Sequence, residues 1–155
     1  MSQPAGNETL RPMAYGDLLE VAALEAAIFP DPWSGRLYEE TLKGGLCDCY
    51  VMKGRADGKE SLIGYFVGQK ILDEAEIHRI AVRPALRGKG YGQLLLADFL
   101  KRMRDAGVLS VLLEVRAGNG AAIGLYRKNG FAPVGTRRDY YRNPKEDAVI
   151  MQKRF

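Results

Sequence analysis

A chain of 155 residues, 46% hydrophobic and 27% charged, has the makeup of one globular domain with a single core. No apolar run approaches the ~20 residues of a membrane-spanning helix. The start of the chain lacks the basic-then-apolar pattern of an export signal, so no membrane contact is expected and the cytoplasm is the expected location. A net charge of +4 suits an anionic ligand but is too mild to call for direct nucleic-acid binding.

In chain order, residues 1–10 read as a frayed start, with a strand entering at Arg11. Asp17 followed by Glu20 resembles a capping box, and Leu18, Val21, Leu24 and Ile28 keep helical spacing up to the Pro30-Asp31-Pro32 break. Trp33-Ser34 opens a short second helix through Leu42, which Gly44-Gly45 stops. Residues 49–52 read as a strand, 56–59 as a hairpin turn, and 62–72 and 75–82 as two further strands. In the last of these Ile77, Arg79 and Ala81 alternate against His78, Ile80 and Val82.

Cys47 and Cys49 have one His in the chain for company, His78. A Cys₂His₂ zinc site is therefore impossible, no metal is expected, and both thiols read as reduced and structural.

Arg87-Gly88-Lys89-Gly90-Tyr91-Gly92 follows that strand and precedes a helical pattern over 93–106. Strand, glycine-rich turn, helix is an arrangement that aims free backbone N–H groups and a helix dipole at an anion. Lys89 is not followed by Ser or Thr, so the metal-binding hydroxyl of a P-loop is absent. The glycine spacing also fails the dinucleotide pattern, where position 93 is Gln93. A flexible surface turn remains the bland alternative.

After the apolar stripe Leu96, Phe99, Leu100 and Met103, and a stop at Gly107, a strand is expected over 109–115. Asn119 caps a helix through Lys128, with Asn129-Gly130 at its end. Strands over 131–136 and 148–153 close the chain, and the whole reads as a mixed α/β sheet.

Two residues in this stretch stand out chemically. Glu114 interrupts an apolar strand, and burial there would make it a stronger base; the alternative is a structural carboxylate paired with Arg79 or Arg116. Tyr126 lies two turns from Asn119 on a face of small residues and can aim its hydroxyl into a cleft. Equally, it can be a core aromatic bonded to a backbone carbonyl. No Ser-His-Asp set or H-E-x-x-H motif accompanies them.

The order and spacing of Ile80-Ala81-Val82, Arg87 to Gly92, Leu113 to Asn119, Leu125-Tyr126 and Asn129-Gly130-Phe131 resemble the GNAT N-acetyltransferase family over nearly the whole chain. Pro32-Trp33-Ser34, Leu72 to Ala75, and Arg138-Asp139-Tyr140-Tyr141 before Glu146-Asp147-Ala148 resemble its RimI-type ribosomal-protein alanine N-acetyltransferases. The resemblance implies an α/β GNAT fold with a splayed strand pair, residues 1–155 as one acetyltransferase domain, and acetyl-CoA as co-substrate. Its pyrophosphate would lie on Arg87, Gly88, Lys89, Gly90, Tyr91 and Gly92, and its pantetheine arm between Ile80, Ala81, Val82 and Asn119. An N–H near Val82 would polarise the thioester carbonyl. Glu114 would be the general base, Tyr126 the acid, and Trp33, Tyr140 and Tyr141 the lining of the acceptor groove.

The implied acceptor is the N-terminal α-amine, Ala first, of a small-subunit ribosomal protein. A small amine, an aminoacyl-tRNA, or a non-catalytic CoA-binding role on the ribosome are the other readings. Three departures from the pattern carry expectations of their own. Arg79 stands where Asn is usual and is expected to pair with Glu114. Gly118 and Gly120 replace Ser and Ala and are expected to loosen the Asn119 loop. Asp31-Pro32 before Trp33 should reshape the acceptor groove.

Overall fold

The computed structural model describes residues 6–56 and 58–155. Residues 1–5 of the expected frayed start, and Asp57 of the expected turn, lie outside them. Seven strands form one sheet in the order β1-β2-β3-β4-β5-β7-β6: β1 (Thr9–Pro12), β2 (Cys47–Ala56), β3 (Lys59–Ile71), β4 (Glu74–Val82), β5 (Ser110–Arg116), β6 (Ala132–Tyr141) and β7 (Glu146–Arg154). Among the described residues, only the β4–β5 pair runs parallel.

Helices α1 (Leu18–Ile28) and α2 (Gly35–Gly44) cover one face, over Val21, Leu24, Tyr38, Val51, Leu62 and Tyr65. Helices α3 (Tyr91–Asp105) and α4 (Gly120–Lys128) flank the other face, whose core includes Phe66, Leu95, Leu96, Phe99 and Leu113. The stripe Leu96, Phe99, Leu100 and Met103 is buried as its spacing requires. Cys49 is a buried free thiol whose pKa burial pushes up to about 12, and Cys47 is a half-buried one.

The central event in the sheet is a bulge. On β3, Val67 pairs with Arg79 but the next residue, Gly68, pairs with Ile77, so His78 is an extra residue on β4. One inserted residue reverses which face each later side chain meets. Ile77 therefore shares the α3 side with Ile80 and Val82, while Ala81 packs on the α1 side. The unbroken alternation read from the sequence is corrected accordingly. The bulge also coincides with the end of β4–β5 pairing. The two strands are joined from Glu74↔Ser110 to Ile77↔Leu113, and beyond that they diverge.

The Asp17–Glu20 capping box does not form. Asp17 instead takes the Ala14 N–H at 2.8 Å and the Arg11 guanidinium at 2.7 and 2.8 Å, while Glu20 binds Lys53 at 2.9 Å and the Leu62 N–H at 3.2 Å. Arg11 and the Ala14 N–H thus hold Asp17, and Lys53, a buried cation, holds Glu20 and adds its charge 3.4 Å from Asp17. At α2 the expected signals hold: Ser34 Oγ accepts from the Leu37 N–H, and Gly45 closes the helix at φ 67°. Residues 137–141, which fell outside the expected final strands, belong to β6.

Candidate active site

Past Ile77, β4 is paired on one edge only. Ile80, Ala81 and Val82 lie opposite Phe66, Tyr65 and Gly64 of β3, and nothing from β5 meets their other edge. The splay opens a cleft of about 330 Å³ lined by Ile80, Ala81, Val82, Arg87, Gly88, Gly90, Tyr91, Gly92, Asn119 and Tyr126. The residues expected at the cofactor, apart from Lys89, thus line one cleft.

Within the loop, Gly88 and Gly90 take φ of 78° and 89°, where a side chain would be strained, and nothing lies within 4 Å of where a Cβ at Gly88 would stand. Gly90 is the residue before α3, whose first closing bond runs from the Leu94 N–H to the Gly90 carbonyl at 3.1 Å. The N–H groups of the first turn are therefore left for a ligand. Such a terminus accepts phosphate oxygens, so the cradle fits the pyrophosphate of a coenzyme A molecule.

Two loop residues differ from expectation in how they sit. The Tyr91 ring is buried in the core, and its hydroxyl donates to Glu8 Oε1 at 2.9 Å, so the backbone is what Tyr91 offers the cleft. Lys89 is not among the residues that line it.

Asn119 Oδ1 accepts from the Ala122 N–H at 3.2 Å and starts α4. The loop before it is pinned, contrary to expectation. The Gly118 N–H donates to Glu146 Oε2 at 2.6 Å and the Ala117 N–H to the Asp147 carbonyl at 3.0 Å. Glycine at 118 is what allows this, because a Cβ there would stand 2.5 Å from that carboxylate oxygen.

A second cavity, about 280 Å³, lies between the diverging strands and is lined by both Glu114 and Tyr126. Tyr126 is 6% exposed and packs against Phe131. Burial, reinforced by Tyr141, pushes its phenol well above the ordinary value, so it stays protonated at neutral pH. Its hydroxyl makes no hydrogen bond to another described residue, which removes the carbonyl-bonded alternative.

Glu114 Oε2 is buried without a hydrogen-bond partner among the described residues, and its counter-charge is Arg137 Nε at 3.4 Å. Neither cation expected beside Glu114 is its partner. Arg79 Nε lies 3.0 Å from Glu25 Oε2, and Arg116 binds Glu146 at 3.2 Å and Asp31 at 3.5 Å.

Beyond Glu114 the space widens into a groove of about 510 Å³ on the other side of the splay, lined by Phe29, Trp33, His78, Arg79, Tyr140 and Tyr141 among others. All three aromatic residues expected to line an acceptor groove therefore do meet in one place. Tyr140 and Tyr141 contact edge-on at 5.1 Å, and Arg116 stacks on Tyr141 at 4.5 Å. Burial, then the Glu114 charge, raise the Tyr141 phenol to about 12.

Sequence reasoning missed Glu25, which anchors this groove from beneath. Its signal was present: Glu25 shares a helical face with Val21 and Ile28, and a carboxylate there must find partners. Among the described residues, no group of three or more His, Cys, Asp or Glu is arranged to hold a metal ion, and no helix is long and apolar enough to cross a membrane.

Comparison with known proteins agrees with this geometry. The acetyltransferase (GNAT) family model matches residues 18–131. The [ribosomal protein bS18]-alanine N-acetyltransferase of Salmonella typhimurium is 35% identical over 146 residues, covering 92% of this chain and 95% of its own. The N-alpha-acetyltransferase RimI of Mycobacterium tuberculosis is 37% identical over 151 residues, covering 94% and 91%. The crystal structure of the ribosomal-protein-S18-alanine N-acetyltransferase from Escherichia coli superposes with a TM-score of 0.83 at 32% identity, over 95% of this chain and 93% of that one. With the splayed β4–β5 pair, the glycine cradle and a family match over most of its length, the chain belongs to the GNAT acetyltransferase family.

Proposed function

We propose that residues 1–155 form a single acetyltransferase domain that moves acetyl from acetyl-CoA to the N-terminal α-amine, Ala first, of a small-subunit ribosomal protein in the cytoplasm. The relatives named for ribosomal protein bS18 support the acceptor and, through it, the location. One observation carries the reading: Glu114 and Tyr126 line one cavity that adjoins both the phosphate cradle and the aromatic groove.

The residues divide the work as follows. The loop from Arg87 to Gly92 holds the pyrophosphate through backbone N–H groups, and Asn119 flanks the pantetheine arm. The open edge of Ile80, Ala81 and Val82 pairs with that arm, and an N–H near Val82 polarises the thioester carbonyl. Acetyl-CoA supplies an activated acyl group. Glu114 accepts the proton of the attacking amine, directly or through one water, and Tyr126 donates one to the departing sulfur.

An α-amine, with a pKa of about 7.7–8.0 against about 10.4 for lysine, needs only a modest base, and no covalent enzyme intermediate is required. Trp33, Tyr140 and Tyr141 line the acceptor's path. No direct nucleic-acid contact is needed for this chemistry.

The test is acetylation of peptides that begin with Ala, Ser or Met and share all later residues. Acetylation led by Ala supports the reading. Binding of acetyl-CoA with no peptide modified would overturn it.

A further inference from the structure

Glu25 is 0% exposed, yet it is a carboxylate in the middle of an apolar helix. A buried carboxylate is tolerated when it is paired and hydrogen-bonded. Glu25 has partners on four parts of the fold. Oε1 accepts from the Tyr38 hydroxyl of α2 at 2.7 Å and from the Tyr65 hydroxyl of β3 at 2.6 Å. Oε2 accepts from the Trp33 backbone N–H at 2.9 Å and stands 3.0 Å from Arg79 Nε on β4.

The two oxygens thus face different things. Oε1 is tied to the packed core, and Oε2 is tied to the wall of the aromatic groove.

That wall depends on Arg79. Its guanidinium lies 4.5 Å from the Phe29 ring and 5.2 Å from the Trp33 ring, and Nη2 donates to the Asp31 carbonyl at 3.1 Å. Arg79 Nε is buried, and its approach to Glu25 is too far off-line for a hydrogen bond, so the contact acts by charge. The bulge at His78 is what turns Arg79 toward α1. Segment 29–33 has no strand or helix of its own to fix it. Its tethers include the Arg79 stack and the Asp31 carbonyl bond to β4, and the Trp33 N–H bond to α1; Glu25 makes the last directly and bears on the other two through Arg79.

We infer that Glu25 is a positioning residue for the acceptor. By fixing Arg79 and the Trp33 backbone it sets the groove wall against which the acceptor's first residues are ordered. Phe29 lines both openings, but the phosphate cradle itself, Gly88, Gly90 and Gly92, lines the cleft and not the groove, and none of these residues is a partner of Glu25. The consequence is a separation of effects. Loss of Glu25 weakens acceptor binding and leaves acetyl-CoA binding as it was.

The acceptor part of this inference rests on the acetyltransferase reading. Trp33 is the chain's single tryptophan, so its fluorescence reports the wall without any turnover. Three variants are compared: Glu25→Gln, Arg79→Gln, and the double Glu25→Gln/Arg79→Gln. Each single change leaves a buried group without its counter-charge, and the double removes both charges and regains the melting temperature. In all three, Trp33 emission moves to longer wavelength and acrylamide quenches it more. The acceptor KM rises about tenfold or more while the acetyl-CoA KM is unmoved.

If a single variant fails to fold, the double decides. A double variant that regains both thermal stability and wild-type acceptor KM, or Trp33 quenching unchanged in every folded variant, would overturn the inference. A wild-type protein that acetylates no peptide would instead contradict the acetyltransferase reading, and Trp33 quenching would still judge the role of Glu25.

Discussion

Arg137 Nε reaches across β7 to stand 3.4 Å from Glu114 Oε2. The pair is held by charge without a hydrogen bond, so Glu114 is oriented while a lone pair on its buried oxygen stays open. A carboxylate used only for structure would have that lone pair filled. Glu114→Gln keeps the shape and removes the proposed base. We expect kcat/KM to fall about 10²–10⁴-fold at neutral pH. The deficit should shrink as pH rises toward the acceptor's own α-amine pKa of about 7.7–8.0, where the amine loses its proton unaided. A pH–rate profile parallel to wild type contradicts the base role.

Tyr126 keeps its proton because burial raises its pKa. Its ring packs on Phe131 with centroids 5.7 Å apart, and Phe at 126 preserves that contact. Tyr126→Phe should therefore lower kcat about 10²–10⁴-fold and leave the acetyl-CoA Kd unchanged. Unaltered turnover would remove Tyr126 from the acid role.

Gly90 sits at φ 89° immediately before α3. Alanine there costs about 1–2 kcal/mol of backbone strain and disturbs the N–H groups facing the cleft. Gly90→Ala should raise the acetyl-CoA KM and leave the acceptor KM unaffected. Steady-state kinetics varied in each substrate separate the two. A rise in the acceptor KM alone would count against the cradle.

Asp17 is held at about 2, below its ordinary 3.8, first by the Arg11 hydrogen bonds and also by the Ala14 N–H, with burial opposing. A lowered folded-state pKa adds stability that is complete above the unfolded value and disappears as pH falls through the folded one. Asp17→Asn should therefore destabilise by roughly 2 kcal/mol at pH 7, from a shift of nearly two units at 1.36 kcal/mol each. The gap should close between about pH 4 and pH 2. Denaturant melts at pH 7 and pH 2.5 test this, and an equal gap at both contradicts it.

The element order was legible because helix spacing and glycine or proline breaks are local signals. So were the glycine loop before α3 and Asn119 at the start of α4, positions that depend on near neighbours. The bulge at His78 was not legible. β4 carries apolar residues on both faces, so inserting one residue leaves no mark in its pattern. The partners of Glu25 and Glu114 were hidden for another reason. Tyr65 is 40 positions from Glu25, and Arg137 meets Glu114 across β7, which lies between their strands. Charge pairing in the sequence pointed to Arg116, two positions away, and to Arg79, beside the Ile80-Ala81-Val82 motif, and the sheet order decided otherwise.

The most direct test of the account is the site of the acetyl group on a single peptide. The peptide begins with a free Ala and carries an internal lysine; it is incubated with acetyl-CoA and the enzyme and then sequenced by tandem mass spectrometry. The account predicts acetyl on the Ala α-amine with the lysine unmodified. Acetyl on the lysine with the α-amine free would contradict it.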